Sequence, residues 1–143
     1  DFGETSNAQR ILIWTKSIES IKKRPLLGVG IGNFPVVLDQ KIFLAKAGSS
    51  AHNIYLQVAA EIGILGLIIS LWLLWRLFTT AYKNFVYIKD LSLAVYFGAL
   101  FLYIPWVMAY SLTDVALFDE RAFLLFVVTV GIIAGYGYET APK

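Results

Sequence analysis

Cysteine is absent from the 143 residues, and there is a single histidine. The first absence excludes disulfide scaffolds, thiolate metal sites and thiol nucleophiles. One histidine, His52, cannot build a multi-histidine metal centre, and no D-x-D or H-x-x-E-H pattern replaces it, so neither a metal nor another cofactor is expected. Charge is also scarce: 15% of residues are charged, against roughly 25% in an ordinary soluble domain. A net charge of +2 is too small to argue for a polyanionic partner, and no nucleic-acid ligand is expected. What is abundant is apolar surface, with 58% hydrophobic residues and a mean hydropathy of +0.68, which excludes a disordered chain. No methionine or charged n-region precedes the first residues, so no signal peptide is visible, and the chain reads as a piece of a longer protein.

The charges are unevenly spread, 12 of the 22 falling between Asp1 and Glu61 and only 8 between Ile62 and Tyr138. Three apolar stretches approach the roughly 20 residues a helix needs to cross a hydrocarbon core about 30 Å thick. They are expected at 53–78, 91–113 and 122–138. Pro105 lies inside the second and is expected to kink it, which neighbouring helices can accommodate. The connector 79–90 carries Lys83 and Lys89, with Arg76 just before it, whereas 114–121 carries Asp114, Asp119 and Glu120 against Arg121. By the positive-inside rule the first connector is cytoplasmic and the second external, which puts residues 1–52 outside and the tail 139–143 inside. Trp72, Trp75 and Tyr82 suit the inner interface of the first span, Tyr136 and Tyr138 that of the third. The fold class expected is all-α integral membrane: an amphipathic periplasmic helix and loop, then three transmembrane helices of a larger bundle.

Ser6 and Gln9 have the S-x-x-Q spacing of a capping box, which predicts a helix from Asn7 to about Arg24, stopped by Pro25. Ile11, Trp14, Ile18 and Ile21 form an apolar stripe at helical spacing. Arg10 falls within that stripe. A guanidinium turned toward a buried or membrane-facing surface needs an anion, and its planar fork suits phosphate oxygens. The plainer readings are that Arg10 snorkels to the interface or pairs with a local carboxylate such as Glu4. Lys22, Lys23 and Arg24 read as a solvated or headgroup-facing run rather than a site.

Gly28, Gly30 and Gly32 give G-x-G-x-G, not the G-x-G-x-x-G of a dinucleotide site, and no Lys-Ser or Lys-Thr follows for a P-loop. A tight turn that brings backbones together or exposes amides to an anion is the better reading. Ser49 and Ser50 can cap a helix beginning near His52. In a first turn the positive dipole end favours neutral imidazole, the form that accepts a proton, although a surface histidine without a role is the plainer reading, which position alone does not overturn. Asn53, Gln57 and Glu61 then line one face at four-residue spacing. Glu61 sits about 13 Å along the axis from His52, and it either orients the histidine through polar intermediaries or pairs with a neighbouring helix. Ala59, Gly63, Gly66 and Ser70 offer small residues for close helix packing.

Taken together, Arg10-x-x-x-Trp14, Pro25-Leu26-Leu27-Gly28-Val29-Gly30-Ile31-Gly32-Asn33-Phe34, His52-Asn53-x-Tyr55-Leu56, Glu61-x-Gly63 and Gly66 resemble the C-terminal part of the bacterial O-antigen ligase and O-antigen polymerase family. The resemblance in order and spacing runs from Arg10 to Gly66. It implies a multi-pass protein of the bacterial inner membrane with a periplasmic active side. The activity implied is glycan transfer from an undecaprenyl-diphosphate carrier to a hydroxyl on lipid A core or on a growing glycan. It further implies that Arg10 holds the diphosphate and His52 activates the acceptor, with Asn53, Tyr55 and the three glycines contacting substrate and Trp14, Glu61 and Asp114 in support. A second arginine important to that family falls upstream of Asp1.

Three function classes compete. The first is a metal-independent, inverting membrane glycosyltransferase of ligase or polymerase type, with protein O-oligosaccharyltransferase as a close variant. The second is a transporter of a small anion such as bicarbonate, in which Arg10 and Glu61 line a path. The third is a structural subunit, which leaves Arg10 and His52 idle. Transporters usually carry repeated, broken helices around a midplane site, and one proline without an inverted repeat favours the enzyme.

Overall fold

The computed structural model describes residues 2–38, 50–115 and 120–139, and among these it is helical with no strand. The elements are α1 (Phe2–Lys23), α2 (Phe34–Val37), α3 (Ile54–Tyr87), α4 (Leu91–Tyr110) and α5 (Glu120–Glu139). The chain divides into two compact units, Asp1–Ser70 with Ser111–Val115, and Leu71–Tyr110 with Ala116–Lys143.

In the first unit α1 begins at Phe2, five residues before the expected start, so Ser6 lies inside the helix and does not cap it. The stripe is shifted as well. Ile11 and Ile18 are exposed, while Ile13 and Ile21 pack on a core of Phe34, Val37, Ala51 and Ala60. The packing face is therefore 10, 13, 14, 17 and 21, and fully buried Ser17 occupies its centre by donating its hydroxyl to the Ile13 carbonyl at 2.8 Å. A small self-satisfied side chain permits close approach where an isoleucine would hold the helix off. Arg10 remains on the packing face, half-buried.

The helix after His52 is capped by Asn53, not by the serines: the Leu56 N–H donates to Asn53 Oδ1 at 3.0 Å and the Gln57 N–H to the Asn53 carbonyl at 3.0 Å. Ser49 lies outside the described residues, and Ser50 Oγ accepts the His52 N–H at 3.4 Å.

The main departure from expectation is inside α3, where Gly63 adopts φ 77 and ψ 178 and interrupts the helix. The glycine loop fills the break. Val29 and Gly30 donate to the carbonyls of Ala60 and Glu61 at 2.9 and 2.8 Å, and the Ile64 N–H donates to the Pro25 carbonyl at 2.8 Å. Backbone groups freed by the interruption are thus satisfied by the loop, as an apolar setting requires. A Cβ at Gly63 would collide with the Leu26 carbonyl, and one at Gly28 with that of Ala60, so both positions need glycine for space as well as for φ.

In the second unit, Ala81, Phe97, Leu100, Ile104 and Ile133 form the core, with Phe78 stacked on Phe101 at 4.9 Å between ring centres. Asp90 caps α4 by accepting the Leu93 N–H at 2.9 Å. Helix α3 continues to Tyr87, so the expected connector 79–90 shrinks to 88–90, because Lys83 and Asn84 are as compatible with helix as with loop. Helix α4 holds Pro105 within its span and stops at Tyr110, short of the expected Thr113.

Two helices, α3 and α4, are long and apolar enough to cross a membrane, and only 22% of the most apolar window of each is buried inside the structure. That exposure, with Trp72, Leu73, Trp75, Leu102 and Trp106 facing outward, is the pattern of lipid-facing helices rather than of a soluble core. In α5 the apolar stretch Phe126–Tyr136 is shorter than a crossing, so among the described residues two of the three expected spans meet the length and composition.

Candidate functional site

The site is built where the end of the loop region meets the start of α3. Residue His52 stands two positions before that helix with φ 47, the one described residue other than glycine on the positive side. Such a backbone costs on the order of 1–3 kcal/mol and persists only where its surroundings over-determine it. They do so here. The Ala51 N–H donates to Gln57 Oε1 at 3.1 Å, the Ala51 carbonyl accepts Trp14 Nε1–H at 2.9 Å, and Asn53 caps the helix that follows.

The segment after α4 completes the clasp. The Ile54 N–H donates to the Ser111 carbonyl at 3.0 Å, and Asn53 Nδ2 donates to the Leu112 carbonyl at 3.0 Å. These bonds bring Asp114 to His52: Oδ1 lies 3.9 Å from Nδ1, within ion-pairing range and beyond a direct hydrogen bond. Both side chains are 44% exposed, so the imidazole is reachable from outside. The same Oδ1 accepts the Val115 N–H at 2.7 Å, which holds the carboxylate in place.

Arg10 stands on α1, the helix that also carries Trp14. It lies one helical turn, about 6 Å along the axis, before Trp14, whose indole is bonded to the residue preceding His52. Among the described residues from Asn7 to Val115 no carboxylate pairs with Arg10. The side chain of Glu4, the local partner considered from sequence, lies outside what is described.

Glu61 is buried and does not reach His52. Its Oε1 accepts Gln57 Nε2–H at 3.4 Å and its Oε2 the Gly32 N–H at 3.1 Å. The polar face expected from the four-residue spacing is therefore a continuous chain, Ala51 to Gln57 to Glu61 to Gly32, that ties the residue before the histidine to the glycine loop. Gln57, read from the sequence as one member of that polar face, is the middle link.

Several residues expected to contact substrate are spent on the scaffold. The amides of Gly28, Gly30 and Gly32 go to the Arg24 carbonyl, the Glu61 carbonyl and the Glu61 carboxylate, and both ends of the Asn53 side-chain amide are engaged. An anion would have to displace those bonds, so the glycine loop is a brace for the broken helix and not an open cradle. Tyr55 is half-buried in the first turn of α3. Among the described residues no group of three or more His, Asp or Glu side chains is placed to hold a metal ion.

What the arrangement offers is an accessible imidazole with a carboxylate on its Nδ1 side and an arginine-bearing helix tied to its neighbour. An accessible imidazole can take a proton from a hydroxyl, and a guanidinium can hold an anion. No curated protein matches the chain significantly. Residues 1–73, which include the whole site apart from the segment 111–115 that carries Asp114, match the family model described as O-antigen ligase. That family is one of membrane glycan ligases and polymerases, enzymes of glycosyltransferase type acting on lipid-linked glycans. The chain belongs to the O-antigen ligase family.

Proposed function

We propose that the chain carries the transfer site of a ligase or polymerase that moves a glycan from an undecaprenyl-diphosphate carrier to an acceptor hydroxyl at the periplasmic face of the inner membrane. The observation that carries the reading is the clasp around His52, which holds its backbone at a positive φ and presents an accessible imidazole against Asp114 while bonding its neighbour Ala51 to the helix of Arg10.

In this reading the acceptor oxygen attacks the anomeric carbon, its proton passes to His52 Nε2, and the bond from that carbon to the diphosphate breaks with inversion. Asp114 acts as a positioning residue, favouring the tautomer that carries its proton on Nδ1 and leaves Nε2 free to accept. Arg10 neutralises the charge that develops on the departing diphosphate, an effect that needs no metal ion when the guanidinium is preorganised. The orientation with 1–52 and 114–121 outside, and a third crossing by α5, belong to the same reading; the orientation is supported by Arg76, Lys83 and Lys89 toward the far end of α3, against Asp114, Asp119 and Glu120.

Transporter chemistry has less support, because Glu61 is engaged by Gln57 and Gly32 and does not line an open path. The test is transfer by the purified full-length protein from a lipid-diphosphate-linked glycan to an acceptor in the presence of EDTA. Product without added metal supports the proposal. Anion uptake into vesicles without product contradicts it. Acceptor choice is read from surface glycans of a deletion strain: polymer left on its carrier identifies a ligase, single repeat units a polymerase.

A further inference from the structure

The glycine loop turns its largest side chains outward. Leu26, Leu27 and Ile31 are 61%, 78% and 82% exposed, although the loop backbone is pinned to α3 by four hydrogen bonds. A pinned loop cannot fold these groups away. Exposed apolar tips on a rigid loop have a specific use when what they meet is itself apolar.

Two neighbours identify what that is. The Pro25 carbonyl is bonded to the Ile64 N–H, the first residue after the break, and from there Leu65, Ile68 and Ile69 face outward at 50%, 56% and 58% exposure. The loop tips are thus level with the beginning of an apolar helical face that leads into a span. On the other side, α1 ends in exposed Lys22 and Lys23, followed by exposed Arg24. Beside this run is a cleft of about 220 Å³ lined by Lys16, Glu19, Ser20, Lys23 and Arg24 together with valines 29, 36 and 37; its one carboxylate, Glu19, is paired with Lys16 at 3.9 Å, so the cleft keeps an excess of positive charge. Apolar tips followed by a basic rim reproduce the order of acyl chains and anionic headgroups across a leaflet surface.

We propose that the loop 25–32 is a second membrane attachment of this unit, with Leu26, Leu27 and Ile31 inserted among the acyl chains and Lys22, Lys23 and Arg24 seating anionic phospholipid headgroups, their phosphates entering the cleft. The break at Gly63 then marks the depth at which α3 enters the bilayer, and the site around His52 is held at a fixed height above the leaflet. This inference is independent of the transfer chemistry, since it places a surface and not a reaction.

No cysteine occurs in these 143 residues, and any elsewhere in the full-length protein is replaced by serine before labelling. Nitroxide labels at Leu27→Cys and Ile31→Cys, with Gln9→Cys as the water-exposed reference, are read by power saturation. The full-length protein is held in vesicles of phosphatidylcholine and phosphatidylglycerol at 3:1. The expected result is collision with oxygen exceeding collision with a water-soluble nickel chelate at 27 and 31, and the reverse at 9. Nickel-dominated collision at 27 and 31, or shielding from both agents by a second copy or another protein segment, overturns the insertion. In the second arm a bimane at Ile31→Cys is quenched by brominated phosphatidylglycerol or brominated phosphatidylcholine at equal mole fraction. At least twofold stronger quenching by the anionic lipid is expected, falling to equality in Lys22→Gln/Lys23→Gln/Arg24→Gln. Equal quenching before those substitutions overturns the headgroup assignment.

Discussion

The Nδ1 atom of His52 and the Oδ1 atom of Asp114 stand 3.9 Å apart, although the two residues belong to segments separated by the whole of α3 and α4. The approach is enforced by backbone. Ser111 and Leu112 accept hydrogen bonds from Ile54 and Asn53, which fixes the residues two positions on at the histidine. A carboxylate on that side orients an imidazole without taking its proton.

Asp114→Asn tests that relationship. Substitution keeps the size of the side chain and an oxygen for the Val115 amide but removes the charge facing Nδ1. Transfer is expected to fall about tenfold to a hundredfold, less than the roughly 10²–10⁴-fold attributable to a general base itself. The loss should be confined to kcat, with KM for the lipid-linked donor unchanged.

Trp14→Phe removes the indole N–H that the Ala51 carbonyl accepts while leaving most of the packing. The cost expected from that hydrogen bond is about 0.5–1.5 kcal/mol, seen as a lowered Tm in detergent. Because Ala51 precedes a strained His52, transfer should decline as well, even though neither His52 nor Arg10 is altered.

Gly63→Ala places a methyl group against the Leu26 carbonyl at a positive φ. The expected loss is more than about 1 kcal/mol, measured as reduced thermal stability of the purified protein. Gly32→Ala, at a positive φ but with open space around its Cβ, should cost less than Gly63→Ala. Equal costs would mean that the contact with Leu26 does not matter.

Glu61→Ala strips the acceptor from the exposed Gly32 amide and from buried Gln57, and about 1–3 kcal/mol is expected for leaving the Gln57 donor unpaired. Glu61→Gln keeps an oxygen for Gly32 and should be milder. Thermal denaturation of the two variants side by side checks the order.

The limits of reading this sequence follow from which forces are local. Apolar runs identified α3 and α4 because membrane burial depends on length and composition alone. Arg10 on a packing face was legible for the same reason, since helical period is a local property. The stripe itself was misjudged because Ser17 supplies the close approach, and no hydropathy scale rewards a small polar residue. The break at Gly63 depends on a partner loop more than 30 positions upstream, so the glycine read as one of several small packing residues. The three glycines drew attention as an anion cradle, but a sequence does not disclose that the Arg24 carbonyl and Glu61 consume their amides. Asp114 was marked only by its family position, and what makes it a partner of His52 is the tertiary clasp.

The central claim is tested most directly by Arg10→Ala and His52→Ala in the full-length protein, assayed for transfer from a lipid-diphosphate-linked glycan after equal membrane expression has been verified. The account predicts that each substitution abolishes transfer, with Arg10→Ala also weakening retention of the donor. Transfer at the parent rate by both variants would contradict it.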